Sequence, residues 1–293
     1  MITLFTPTYN RAHLLDRLYE SVLRQTDKNF EWIIVDDGSS DATGEKVNEW
    51  IKERKINIRY IYQKNSGKAA AFNKGVSLAN GEVLCCVDSD DMLTDNAVEI
   101  IDRHLTDIQS DNIAGMIALK SDLTGKLIGN KFPSGLKYES PYNLNDVYNC
   151  RGDWSQIYKV SVLKKYPYPI IDGERFITES VLFDKLSMSY KALLVNEVVN
   201  YCEYQSEGLT KNIYSCMINN PTGYQIYYAQ RIDLAVDLKK RMNYIVKYHA
   251  FKCMSKNDKY DYSGKHKIFV KCLSCLGFVG RIYYFIKCKK HME

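Results

Sequence analysis

The feature that most constrains this chain is a set of four apolar runs, each ending abruptly in polar or acidic residues, with a helix-forming stretch between successive runs. Residues 2–6 (Ile-Thr-Leu-Phe-Thr) read as a buried strand that Pro7 ends. From about Arg11 to Gln25, Leu14, Leu15, Leu18 and Val22 recur at helical spacing, with Asn10 placed to cap the helix. Trp32-Ile33-Ile34-Val35 runs into Asp36-Asp37-Gly38-Ser39, and a polar helix follows through Trp50. Ile58–Tyr62 precedes a loop at Asn65-Ser66-Gly67 and an alanine-rich helix, and Val83–Val87 runs into Asp88-Ser89-Asp90-Asp91. Strand and helix thus alternate through about 90 residues, the pattern of an α/β, Rossmann-like parallel sheet. Ligands bind such sheets beyond the carboxyl ends of the strands, so the polar segments are expected to converge on one rim.

Past residue 110 the pattern loosens. Ile113–Leu119 reads as a strand, Ser121–Gly129 as a hairpin and Trp154–Val162 as a mixed segment. Arg175 to Tyr190 reads as helix, Leu193–Val195 and Tyr201–Tyr204 as short strands, and Asn220 to His249 as helix. Two domains are expected, a catalytic one over 1–212 and a basic helical extension over 213–293. From Lys239 onward there are 14 basic and 3 acidic residues, against 26 and 32 before it. The nine cysteines are scattered, and the chain starts directly in a strand, so a reduced, cytoplasmic setting is expected. Cys272 and Cys275 read as small apolar residues on a helix stripe, and the five histidines show no metal-ligand spacing.

Three acids together at a strand end need a cation or solvent to offset their repulsion. Hard divalent ions such as Mg²⁺ or Mn²⁺ take one or two carboxylates plus phosphate oxygens, so Asp88-x-Asp90-Asp91 suits a metal held against a diphosphate; a solvated acidic turn would also explain it. Asp36-Asp37-Gly38-Ser39-Ser40-Asp41 offers a carboxylate to a nucleobase or ribose, or a turn in which Asp41 caps the next helix. Gly67-Lys68 opens a helix, where amides and dipole favour anions. Neither the P-loop nor the Rossmann glycine spacing is present, which argues against a dinucleotide cofactor.

Taken in order, Thr6-Pro7-Thr8-Tyr9-Asn10-Arg11, Asp36 to Asp41, Asn80-Gly81-Glu82 and Asp88-Ser89-Asp90-Asp91 resemble the family 2 inverting glycosyltransferases of bacteria over residues 1 to about 110. Trp154 to Pro169, Glu174 to Glu179 and Asn196 to Thr210 resemble members that build capsular or other surface polysaccharides. The resemblance implies a GT-A fold, a mixed sheet flanked by helices, and transfer of a sugar from a nucleoside diphosphate, UDP by default, to a glycan or lipid-linked acceptor. It implies that Pro7 and Tyr9 line the base pocket, Asp37 bonds the base, Asp88 contacts ribose or sugar, and Asp90 ligates the metal. Lys68 is expected to touch phosphate or sugar. The family's Glu-Asp pair that supplies the base reads Glu179-Ser180 here, so Glu179 is the expected base, with Glu174 and Asp184 as alternatives. Asp153 and Trp154 are the expected acceptor contacts, although a core role suits the tryptophan equally. Rival readings are a nucleotidyltransferase, which lacks its glycine-rich loop here, and a non-catalytic nucleotide-binding partner subunit, which the missing second acid would suit.

Residues 264–293 carry an apolar stripe of Ile268, Cys272, Cys275, Leu276, Val279, Ile282, Tyr283 and Ile286, interrupted by Lys271 and Arg281 and flanked by lysines. Two internal charges argue against a spanning helix. Either an interfacial helix on an anionic membrane surface or a helix packed back on the protein fits the pattern. No nucleic-acid reading module accompanies the basic tail.

Overall fold

The computed structural model describes residues 1–203, 213–255 and 257–292, the last with backbone alone at residues 276 and 288–292. It divides into two compact units, Met1–Tyr168 with Ser189–Gln205, and Pro169–Met188 with Ser206–Glu293. The boundary expected between residues 212 and 213 lies outside the described residues, as does the end of the strand expected over Tyr201–Tyr204. Residues 169–188 group with the helical unit.

The first unit runs β1 (Ile2–Thr8), α1 (Leu15–Leu23), β2 (Phe30–Asp36), α2 (Thr43–Glu53), β3 (Ile58–Tyr62), α3 (Lys68–Leu78), β4 (Val83–Cys86), β5 (Met92–Leu93) and α4 (Ala97–Arg103). It continues through β6 (Ile113–Ser121), β7 (Tyr138–Glu139), α5 (Pro141–Asp146), β8 (Trp154–Lys159) and α6 (Val160–Leu163). The second unit inserts α7 (Ser180–Ser187) before the chain returns to the sheet as β9 (Lys191–Tyr201). It then carries α8 (Ile213–Asn219), α9 (Pro221–Leu234), α10 (Leu238–Ser255), α11 (Lys267–Cys272) and α12 (Leu276–Met292).

One mixed sheet runs β3-β2-β1-β4-β8-β6-β9-β5, with β7 pairing β9. β1, β2, β3 and β4 are mutually parallel, in the register Thr8 to Asp36 and Asp36 to Tyr62. β8 runs antiparallel to both β4 and β6, so β6 ends at the same rim as β1 to β4, and β8 begins there. β1, β2 and β6 are buried along their whole length, which is why they read as unbroken apolar runs. Helix α1 turns Leu15, Leu18, Tyr19 and Val22 inward, and Tyr19 stacks on Trp50 of α2 at 4.2 Å between ring centres.

Asn10 does not cap α1, which starts at Leu15. It sits at φ 52°, and its side chain accepts from the Ser40 amide at 2.8 Å, so it ties the β1 exit to the loop after β2. The second unit has its own core, in which Tyr224, Tyr228, Ile232, Ile245, Tyr248 and Phe251 are buried. Among the described residues no helix is long and apolar enough to cross a membrane.

Candidate active site at the carboxyl rim of the sheet

The parallel strands deliver Thr8, Asp36, Asp37 and Asp88 to one edge, as their order requires. Asp37 follows β2 and is buried. Its carboxylate accepts from Gln63 Nε2 at 2.8 Å and from the amides of Ser66 at 2.9 Å and Gly67 at 2.7 Å. Three of roughly four acceptor positions are used, so Asp37 builds the loop after β3 and keeps capacity for about one more N–H. Gly38 is required beside it: its φ is +88°, and a Cβ there would lie 2.8 Å from the Asn65 amide nitrogen. Asp36 Oδ2 accepts from Tyr60 Oη at 2.6 Å, which leaves Asp36 a structural role. Pro7 is buried within β1, and Tyr9 stands exposed just past it. Thr8 Oγ is buried and has no partner among the described residues.

The acidic turn after β4 carries its own cations. Lys68 Nζ, on the first residue of α3, lies 2.6 Å from Asp88 Oδ1. Burial works against charge on Asp88, but Lys68, Lys120 and Arg11 outweigh it and hold the carboxyl below its ordinary range. Lys120, near the end of β6, is buried with Nζ 3.1 Å from Asp91 Oδ2 and 3.1 Å from Asp153 Oδ2. Burial alone would discharge Lys120; Asp153, Asp91 and Asp88 keep it protonated well above the usual lysine range. Cys202, just past β9, donates its thiol to Asp91 Oδ1 at 2.8 Å, and burial keeps it a thiol.

Neither Lys120 nor Cys202 was expected at the site. Their signal is topological: β6 and β9 run parallel and both end at this rim. Asp153 reaches the rim because β8 starts there, and its side chain is about half exposed. Trp154, the next residue, points inward, only 6% exposed and 5.5 Å from the Phe132 ring, so neither ring face is offered to a sugar.

Asp90 is the half-buried acid of this turn that makes no hydrogen bond or ion pair among the described residues. No group of three or more acid, histidine or cysteine side chains able to hold a metal occurs among them. What Asp90 offers is a single carboxylate, unpaired among the described residues, the protein share that a phosphate-bound divalent ion can take.

The three acids considered for a base all lie in the helical unit. Glu174 accepts from the Thr222 and Gly223 amides at 2.7 and 2.9 Å and so caps α9. Asp184 is buried and paired through both oxygens with Arg231. Glu179 is exposed at the start of α7.

The sequence profile described as "Glycosyl transferase family 2" matches residues 3–167. The poly(ribitol-phosphate) β-N-acetylglucosaminyltransferase TarP of Staphylococcus aureus is 34% identical over 178 residues, 59% of this chain and 51% of TarP. The glycosyltransferase GlyG of Streptococcus pneumoniae is 36% identical over 116 residues, 39% of this chain and 38% of GlyG. The chain thus spans about half or less of the curated relatives it matches. Among solved structures, S. aureus TarS 1–349 superposes with a TM-score of 0.59 at 17% identity, covering 95% of this chain and 88% of TarS 1–349. The mannosyltransferase PcManGT from Pyrobaculum calidifontis, solved with GDP-Man and Mn²⁺, superposes at 0.56 and 16%, covering 99% and 84%. These two likenesses are of fold.

Proposed function

The chain belongs to glycosyl transferase family 2, and from that premise we propose that it moves a sugar from a nucleoside-diphosphate donor to a glycan or lipid-linked acceptor, with inversion, in surface-polysaccharide synthesis. The observation that carries this is the rim itself: Asp37 follows β2 while Asp88 and Asp90 follow β4, and both strand ends stand on one edge, with lysines at Asp88 and Asp91 and none at Asp90. UDP is the proposed nucleotide, a choice supported by TarS having been solved with UDP-GlcNAc.

In this reading Pro7 and Tyr9 flank the base, and Asp37 uses its remaining acceptor capacity on a base N–H. Asp88 meets ribose or sugar, with Lys68 beside it against phosphate. A divalent ion, Mn²⁺ or Mg²⁺, would be held by Asp90 and would offset the charge that develops on the departing diphosphate. Glu179, which stands where the resemblance places the family's base, takes the proton of the attacking acceptor hydroxyl. Asp153 orients an acceptor hydroxyl at the edge of the site. The chain works as a peripheral protein on the inner face of a membrane, where a lipid-linked acceptor would be presented. Diphosphate release from a panel of nucleotide sugars with added Mn²⁺ tests the proposal. Release with one donor supports it, whereas binding without release from any donor would favour a non-catalytic subunit.

A further inference from the structure

Helix α12 has two apolar faces, and among the described residues only one of them is packed. On the inner face Gly277, Gly280 and Tyr284 are buried. A Cβ on Gly277 would stand 2.8 Å from the His249 carbonyl oxygen, and one on Gly280 would stand 2.8 Å from Ala250 Cβ. Tyr284 lies 4.7 Å from the Phe251 ring. This glycine seam lets α12 lie directly on α10 and fixes its rotation about its own axis.

The other face is therefore held outward by packing. At about 100° per residue, Phe285, Phe278, Ile282, Ile286, Val279 and Tyr283 fall in one arc of roughly 160°. All six are exposed, Phe278 and Val279 at 66%. Between Phe278 and Ile286 no polar residue falls in the arc. A cation stands at each border: Arg281 lies over the Phe285 ring at 5.6 Å and Lys287 over the Tyr283 ring at 5.9 Å. On α11, Ile268 is 83% exposed between exposed Lys267 and Lys271. From Tyr262 to Met292 the sequence holds seven Lys or Arg and no Asp or Glu.

We propose that the outward face of α12, with Ile268 of α11, is a docking surface for an anionic lipid bilayer. An apolar arc bordered by cations matches an interface with acyl chains below and phosphates beside it. A second copy on the same face would bring like-charged borders together. The helix lies in the interface and does not span it, consistent with Arg281 and with the absence, among the described residues, of a helix able to cross. This face gives the peripheral placement a location and a lipid chemistry, and it stands apart from sugar transfer, which donor binding tests separately.

The test is co-sedimentation of the full chain with phosphatidylcholine vesicles, with and without a quarter of phosphatidylglycerol. The chain should partition onto the anionic vesicles at least about tenfold more strongly, and less so at high salt. The double substitution Phe278→Ser, Ile282→Ser should remove binding without lowering the melting temperature, because both side chains point away from the core. Arg281→Gln with Lys287→Gln should weaken binding and flatten its salt dependence. Equal partition onto neutral and anionic vesicles, or onto neither, overturns the proposal. So does a dimer, seen by ultracentrifugation, that the Phe278/Ile282 substitutions dissolve while vesicle binding is absent.

Discussion

Lys120 sits among Asp88, Asp91 and Asp153, and its charge sets what else that cluster can bind. With Lys120 in place two acids are neutralised internally, and the carboxylate of Asp90 is the one left for the metal of the proposed site. Lys120→Met should uncover Asp91 and Asp153 and tighten Mn²⁺ binding in the absence of nucleotide by about tenfold or more. Lys120→Arg should stay near wild type. Mn²⁺ titration followed by electron paramagnetic resonance reads this, and an unchanged affinity in Lys120→Met would remove Lys120 from that role. For Glu179→Gln the expected outcome is loss of ~10²–10⁴-fold in turnover with donor affinity retained; single-turnover kinetics beside calorimetry check it. Asp37 and the Asp88–Asp91 turn were legible in the sequence because each stands at the end of an apolar run. Lys120 was not, because its place at the rim depends on the direction of β6, which is set by long-range pairing with β8. Trp154 shows the converse: the residue type suited sugar stacking and core alike, and its buried position on β8 makes it core.

Among the elements, β1 to β4 followed the sequence closely, since helical and strand periods alternate cleanly there; β1, β2 and β3 lie side by side and β4 crosses back to pair β1. The helix expected from Arg175 to Tyr190 is confined to Ser180–Ser187. Its first part is taken up by α9: Asn220 Oδ1 accepts from the Arg175 and Phe176 amides, and Glu174 caps the helix start. The two short strands expected at Leu193–Val195 and Tyr201–Tyr204 join in one strand, Lys191–Tyr201. A bulge absorbs the polar Asn196 and Glu197, and Glu197 pairs outward with Arg103 at 2.7 Å. At the amino edge of the sheet, buried Glu31 accepts from Thr3 Oγ at 2.8 Å and the Asn80 amide at 2.7 Å, and pairs with Arg59 at 3.3 Å. Burial pushes the Glu31 carboxyl up, but the bonds from Asn80, Thr3 and Arg59 outweigh it and depress its pKa. Its contribution is thus complete above the ordinary carboxylate pKa and lost as pH falls through the lower folded value. Glu31→Gln should cost about 1–3 kcal/mol at neutral pH and give a melting temperature that falls less steeply on acidification; identical pH profiles would contradict this. Gly38→Ala should destabilise by ~1 kcal/mol or more through its positive φ and the clash at Asn65, as denaturant unfolding would show.

At the scale of the whole molecule, charge follows the chain order, with 26 basic and 32 acidic residues before Lys239 and 14 and 3 after it. The sheet-bearing unit carries the acidic rim, and the helical unit carries Glu179 and the apolar arc of α12. The tail was read from sequence as either packed or interfacial. In the structure its inner face packs on α10 while its outer face stays exposed, and Cys272 and Cys275 are exposed and not part of a buried stripe. All of the functional reading rests on a diphosphate meeting Asp90 through a divalent ion. The most direct measurement is calorimetric titration of UDP into the chain with and without Mn²⁺, for wild type and Asp90→Ala. The expected result is binding at least about tenfold tighter with Mn²⁺ in the wild type, and no metal dependence in Asp90→Ala. Equal UDP affinity with and without Mn²⁺, or a metal effect that survives in Asp90→Ala, would contradict the account.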